Sequence, residues 1–225
     1  MRKRRPSGIT LLLLAALVGG LGWTVYTPIR QERLNRALIA AIKQNDTKQT
    51  LSLLAEGANP NVRDEPPQHL SLWRLLLDTL RGKRPAPSTA PTALLLACSW
   101  YPHDNPLLVK ALLDRGAQIE AKENDGATPL LIAVILNKVQ VSRLLIARGA
   151  NVNVIDRSGE SSPLREAVSN DNKVLARMLI NKGADVNFGV NVMNFHSGIV
   201  SPLEVAKDNG DKQIIQMLKQ AGAKE

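Results

Sequence analysis

The chain has 225 residues, of which 44% are hydrophobic and 22% are charged, a balance that excludes intrinsic disorder and a collagen-like protein. Aromatic residues make up only 3%, which favours a helical protein built on Leu and Ala over a β-sandwich or barrel. The net charge of +9 is concentrated near the N-terminus: eight basic and one acidic residue lie within residues 1–43, and the remainder carries 21 basic and 19 acidic residues. We therefore expect a nearly neutral folded part that does not bind nucleic acid.

The N-terminus has the composition of a membrane anchor. Residues 1–8 form a basic flank, and residues 9–29 form an uncharged, Leu-rich stretch that carries Trp23 and Tyr26 near its end. As a helix, the apolar part would be ~27 Å long, close to the thickness of the hydrocarbon core of a bilayer. Trp and Tyr are favoured at the membrane interface. We predict one transmembrane helix over residues 9–29.

Two other interpretations of this segment stay open, a cleaved signal peptide and a buried core helix. A signal peptide has the same basic start and Leu-rich centre, but no Ala-x-Ala cleavage motif follows here. The four basic residues before the segment favour a single-pass protein with a cytoplasmic N-terminus. The folded domain would then be extracytoplasmic, and periplasmic in a Gram-negative-type bacterium. Cleavage would give a secreted protein instead.

A short phrase that begins with Gly-Ala recurs along the rest of the chain, and its later copies are about one repeat unit of 33 residues apart. The copies begin at Gly57, Gly116, Gly149, Gly183 and Gly222. In the last three copies, a Thr or Ser followed by Pro and Leu stands 21 residues before the Gly. These hydroxyl residues are Thr128, Ser162 and Ser201. A fixed unit of this kind predicts a repeat protein.

Each part of the unit predicts a local structure. The Thr or Ser before Pro is an N-cap that begins a first helix. An Ala five positions later would let that helix pack closely, and an Asn, Asp or Gly nine positions after the cap would end it in a left-handed conformation. The helix-ending residues are Asn45, Asn137, Asp171 and Gly210. A second helix with paired apolar residues then ends at the repeated Gly.

This pattern resembles the ankyrin repeat. The resemblance implies an all-α solenoid of helix-turn-helix units with short β-turn fingers, here preceded by the transmembrane helix. It covers residues 33–225, with repeats at 33–61, 92–120, 124–153, 158–187 and 199–225 and an insertion at 62–91. The His that follows Thr-Pro-Leu in the family is replaced in every repeat. Its replacements are Ile39, Leu95, Leu131, Arg165 and Glu204. Arg36 cannot cap as Thr does, so we expect the first repeat to continue the helix that leaves the membrane.

The insertions carry most of the aromatic residues. Leucines at helical spacing around Trp73 predict a short helix within 62–91. This helix is interpreted as a docking arm, as a helix folded back over the end of repeat two, or as a degenerate sixth repeat. A further insertion over residues 188–200 lengthens the finger before repeat five. Aromatic residues of this kind supply much of the binding energy in protein interfaces.

The three histidines stand far apart and no catalytic, nucleotide-binding or metal-binding motif is present, so we expect no enzyme activity, cofactor, metal or small-molecule substrate. The ankyrin resemblance implies a non-catalytic scaffold for protein–protein interaction. It places contact with an unidentified protein partner on the concave face of fingers and first helices, to which we add the insertions. The candidate contact residues are Trp73, Trp100, Tyr101, Asn124, Asp125, Ala127, Val134, Ile135, Arg157, Ser158, Glu160, Ser169, Asn170, Phe188 and Phe195. A structural or accessory subunit of a membrane complex is the alternative.

Overall fold

The computed structural model describes residues 29–65, 89–99, 103–159, 161–188, 190–191 and 199–224. Residues 29–43 form helix α1. The other helices are α2 (Thr47–Ala55), α3 (Ala93–Ser99), α4 (Pro106–Asp114), α5 (Pro129–Ile135), α6 (Val139–Ala147), α7 (Pro163–Ser169), α8 (Lys173–Asn181), α9 (Pro202–Asn209) and α10 (Lys212–Gln220). Two short strands, β1 (Val190–Asn191) and β2 (Ile199–Val200), form an antiparallel pair.

The helices stack as five consecutive pairs in two layers. In the inner layer α3 packs on α5, α5 on α7 and α7 on α9; in the outer layer α2, α4, α6, α8 and α10 follow one another in the same way. Within the described residues, each pair therefore packs on the pairs before and after it, as in a solenoid. The predicted helix-turn-helix architecture is confirmed.

In the described part of the chain, no helix has both the length and the apolar character that a membrane span needs. The predicted anchor at residues 9–29 lies outside the described residues except for Ile29. It stays a prediction.

The helix boundaries follow the predicted caps. The hydroxyl oxygens of Thr128, Ser162 and Ser201 accept hydrogen bonds from the backbone N–H three residues later, at 3.3–3.4 Å. Glu204 completes a capping box by accepting from the Ser201 N–H at 2.9 Å. The helix-ending residues predicted to be left-handed all have positive φ. The values are 54° for Asn45, 55° for Asn137, 51° for Asp171 and 72° for Gly210.

The first repeat lacks a separate first cap, as the sequence predicted. Helix α1 runs without a break through Arg36, which pairs with Glu32 one turn earlier on the same helix. The inner face of α1 is anchored by Leu38 and Ile42, which are fully buried. Because no cap at Arg36 begins a separate helix, the described part of α1 is about twice as long as the seven-residue helices α3, α5 and α7.

The core is a single continuous cluster of Leu, Ile, Val and Ala side chains that passes through all five repeats. The Ala predicted to allow close packing of each first helix is buried in every repeat. These residues are Ala41, Ala97, Ala133, Ala167 and Ala206. A larger side chain at these positions would overpack the space between neighbouring helices.

Both long insertions leave the stack at a finger and return to the same place. The Asp64 N–H donates to the Pro91 carbonyl at 2.9 Å, and the Ala93 N–H donates to the Val62 carbonyl at 2.8 Å. At the second insertion, β1 pairs with β2. The residues on either side of each insertion are therefore hydrogen-bonded to each other, and the described stack continues on both sides of it. Residues 66–88, with the predicted helix around Trp73, lie outside the described part.

An asparagine side chain joins successive repeats at three of the four junctions. The amide of Asn153 donates to the Gly183 carbonyl at 3.1 Å, and its oxygen accepts from the Asp185 N–H at 2.8 Å. Asn61 and Asn187 make the same two bonds across their own junctions. At the remaining junction Glu120 accepts from the Asn151 N–H, but a carboxylate has no proton to donate to Gly149.

Replacing this glutamate should strengthen the junction between repeats two and three. We expect Glu120→Asn to raise the free energy of unfolding by about 0.5–1.5 kcal/mol, because it adds a donor for the Gly149 carbonyl and removes a negative charge near the C-terminus of α6. The measurement is the urea unfolding midpoint. The matched control Asn153→Glu should lower that midpoint. A lower midpoint for Glu120→Asn would contradict the bonding pattern.

Candidate protein-binding surface

The finger between repeats two and three is a tight hairpin with an exposed tip. The Glu123 N–H donates to the Ala127 carbonyl, and the Gly126 N–H donates to the Glu123 carbonyl, both at 3.0 Å. The carboxylate of Asp125 accepts from the Ala127 N–H at 2.9 Å. These bonds fix the turn, so Asn124 and Asp125 project into solvent from a rigid base.

The next finger is joined directly to this one. The Arg157 N–H donates to the Asp125 carbonyl at 2.5 Å. This approach needs a residue without a side chain at Gly126, where an added Cβ would lie 3.1 Å from the backbone nitrogen of Arg157. Gly126 also has a φ of 86°, which disfavours other residues. The predicted tips Asn124, Asp125, Arg157 and Ser158 therefore form one continuous exposed edge.

The first helices supply the floor beside the fingers, and here two predicted contacts are wrong. Ile135 is 41% exposed and Ser169 is exposed, but Val134 is fully buried and Ala127 is 4% exposed. Successive helical residues differ by about 100° in direction, so Val134 packs between the stacked helices while Ile135 points outward. Ala127 lies at the buried base of its hairpin.

Asn170 lies on the surface, but its side chain has a structural role. Its amide donates to the carbonyls of Val134 and Ile135 at 3.1 and 3.2 Å, which satisfies the C-terminus of α5. Asn209 makes the equivalent bond to the Val168 carbonyl at 3.0 Å. The repeated geometry shows that this Asn joins first helices, and its amide is already engaged.

A polar cluster at the base of the second finger was not among the predicted contacts. Glu166 accepts from the Ser161 hydroxyl and from the Arg165 guanidinium, both at 3.0 Å. Arg165 occupies the position where the family has His. This departure from the family pattern is the feature of the sequence that could have indicated the cluster. On the first finger, burial and then the nearby charge of Asp125 raise the pKa of Glu123. The inner surface therefore has both acidic and basic groups close to the tips.

Of the remaining candidate contact residues, the structure describes only Phe188. Phe188 is half-buried at the start of the second insertion. The other predicted contacts in the insertions and fingers lie outside the described residues. They are Trp73, Trp100, Tyr101, Glu160 and Phe195. They stay predictions.

Fingers, paired helices and a two-layer stack define a helical-repeat protein, and comparison with known proteins identifies the family. The family model described as ankyrin repeats (3 copies) matches residues 38–156 and 94–190. These matches cover more than half of the chain. The chain belongs to the ankyrin-repeat family.

Several curated proteins are similar to this chain. The B-cell lymphoma 3 protein homolog of Mus musculus is 30% identical over 174 residues, which are 72% of this chain and 37% of that protein. The B-cell lymphoma 3 protein of Homo sapiens is 29% identical over 209 residues, 91% of this chain and 38% of the relative. The transient receptor potential cation channel subfamily A member 1 of Homo sapiens is 23% identical over 197 residues, 84% of this chain and 15% of the channel. The chain therefore spans less than two fifths of each relative.

Cys98 is the single thiol of the chain and lies in the core rather than at the candidate surface. It is fully buried. Burial raises its pKa to about 12, against a smaller opposing effect of the positive charge of Lys138. Since the thiolate is the reactive form, this cysteine is inert in the folded chain.

We expect the Cys98 thiol of the native chain to resist alkylation by iodoacetamide at neutral pH and to react rapidly in urea, because both exposure and deprotonation require unfolding. Mass spectrometry of samples quenched over time measures the labelled fraction. A matched reporter is Ser52→Cys in a Cys98→Ser background, whose exposed thiol should react without urea. Rapid labelling of native Cys98 would show that repeat two opens locally.

Proposed function

We propose that this chain is a membrane-tethered, non-catalytic scaffold that binds a protein partner on its inner surface. The ankyrin-repeat family implies protein–protein interaction as the general role. The observation that carries the proposed site is the direct bond between the Asp125 carbonyl and the Arg157 N–H. It holds neighbouring finger tips in one rigid edge, so little conformational freedom is lost on binding.

The inner surface offers several kinds of contact within a short distance. The tips carry Asn124 and Asp125 on one finger and Arg157 on the next, all exposed. The exposed side chain of Ile135 adds an apolar contact on the floor. A polar rim around an apolar contact is the usual composition of a protein interface. The insertion aromatics would add further contact area.

The site can be tested by photocrosslinking in the source cells. A photoreactive amino acid at Ile135 or at Ser158 should capture the same protein, because both positions border one surface. The matched control is the same amino acid at Gln216, on the outer face of α10. The variant Asn124→Lys/Arg157→Glu, which leaves the turn-fixing carboxylate of Asp125 in place, should reduce capture about tenfold through lost complementarity. Capture from Gln216 alone, or capture unaffected by this variant, would contradict the proposal.

The tether is a second part of the proposal and rests on residues 1–29 of the sequence. We expect a reporter that functions only outside the cytoplasm to be active when fused after Glu225, and the full-length chain to sediment with membranes. A chain lacking residues 1–29 should be soluble and inactive in the same reporter assay. A shortened soluble product would indicate a cleaved signal peptide and a secreted binder, and a reporter active only in the cytoplasm would contradict the predicted orientation.

A further inference from the structure

The outer layer of the last three repeats carries charge of one sign. Helices α6, α8 and α10 contain no Asp or Glu. We call their solvent side, together with the residue that follows each of α6 and α8, the outer basic face. Its exposed cationic side chains are Arg143, Arg148, Arg177, Lys182, Lys212 and Lys219. The face lies on the side of the helix pairs opposite the inner layer, so it is separate from the proposed binding surface.

Some cations of this region already have acidic partners. Arg148 pairs with Asp114 at 2.8 Å, and Lys173 pairs with Asp211 at 2.8 Å, with Asp171 at 3.9 Å. The bond from Lys173 holds the pKa of Asp211 well below its ordinary range. Within the described residues, Arg143 and Arg177 form no ion pair. These two guanidinium groups are therefore available to an external anion.

The two arginines border a groove between α6 and α8 with a volume of about 530 Å³. Its lining residues are Arg143, Lys173, Val174, Arg177, Met178 and Asn181. Val174 is 50% exposed, although it is apolar, and Met178 is half-buried beside it. The groove therefore combines an apolar floor with a cationic border.

This combination fits a particular class of ligand. A guanidinium binds a carboxylate through two parallel hydrogen bonds, which a lysine ammonium cannot do. A flexible methionine adapts to apolar side chains of different shape. Arg143 and Arg177 occupy the same position in repeats three and four, 15 residues after Thr128 and Ser162. The two guanidinium groups therefore come from neighbouring outer helices and both border the same groove.

We propose that this groove binds an acidic segment of a second protein, with an apolar side chain against Val174 and Met178 and carboxylates on Arg143 and Arg177. A lipid surface explains the observations less well. A bilayer would be attracted about equally to every cation of the outer basic face and would leave the apolar floor of a concave groove without a matching contact. The domain would then hold two proteins at once, one on each layer.

The test uses the full chain in a non-ionic detergent and a fluorescein-labelled peptide in which Leu is flanked by Glu residues. The peptide should bind measurably, and Arg143→Glu/Arg177→Glu should weaken binding about tenfold or more. The matched control Lys182→Glu/Lys212→Glu makes the same change in net charge on the same face outside the groove, and should weaken binding much less. Replacing the peptide Leu by Ser should also weaken binding. Urea midpoints verify that each variant is folded.

Three outcomes would overturn the proposal. The first is no peptide binding at low ionic strength. The second is an equal loss in the two charge-reversed variants, which would show attraction by net charge alone. The third is tighter binding to phosphatidylglycerol in mixed micelles of the same detergent than to the peptide, with both variants equally impaired, which would assign the face to a membrane. Because Ile135 lies on the inner layer and Ser158 at a finger tip, crosslinking from them should be unaffected by Arg143→Glu/Arg177→Glu, so this proposal and the inner-surface proposal fail independently.

Discussion

The structure depends on the burial of each repeat against its neighbours. A single helix pair has too little apolar surface to exclude water from its own Leu and Ala side chains, but a stack buries them on both sides. The buried alanines of the first helices bring the inner layer close enough for asparagine side chains to reach the next repeat. The hydrogen bonds that link the repeats therefore depend on the close packing of the first helices.

These links separate structural residues from those available for binding. Asn170 and Asn209 are exposed but bond to the carbonyls of the preceding first helix. Asn124 and Arg157 lie at exposed finger tips, on a backbone held by bonds between neighbouring fingers. Polarity and exposure alone would place all four residues in one binding surface. The direction of each hydrogen bond shows which side chains are already engaged.

The two layers differ in their electrostatic character. The fingers and inner helices carry acidic and basic groups together, whereas the outer helices of repeats three to five carry only basic ones. This segregation is not visible in the nearly neutral total charge of the residues after Lys43. It follows from the alternation of first and second helices, which sends every second helix to the same side of the solenoid. One domain thereby has two faces with different binding preferences.

The sequence by itself determined the repeat, its caps and its left-handed helix ends, because these features depend on residues close together in the chain. It also indicated that α1 would pass through Arg36, since that side chain cannot cap. Only the tertiary structure showed that Val134 and Ala127 are buried, that Asn170 is engaged by another repeat, and that Arg143 and Arg177 border one groove. Each of these facts depends on contacts between residues about 30 or more positions apart, or on which side of a helix meets its neighbour.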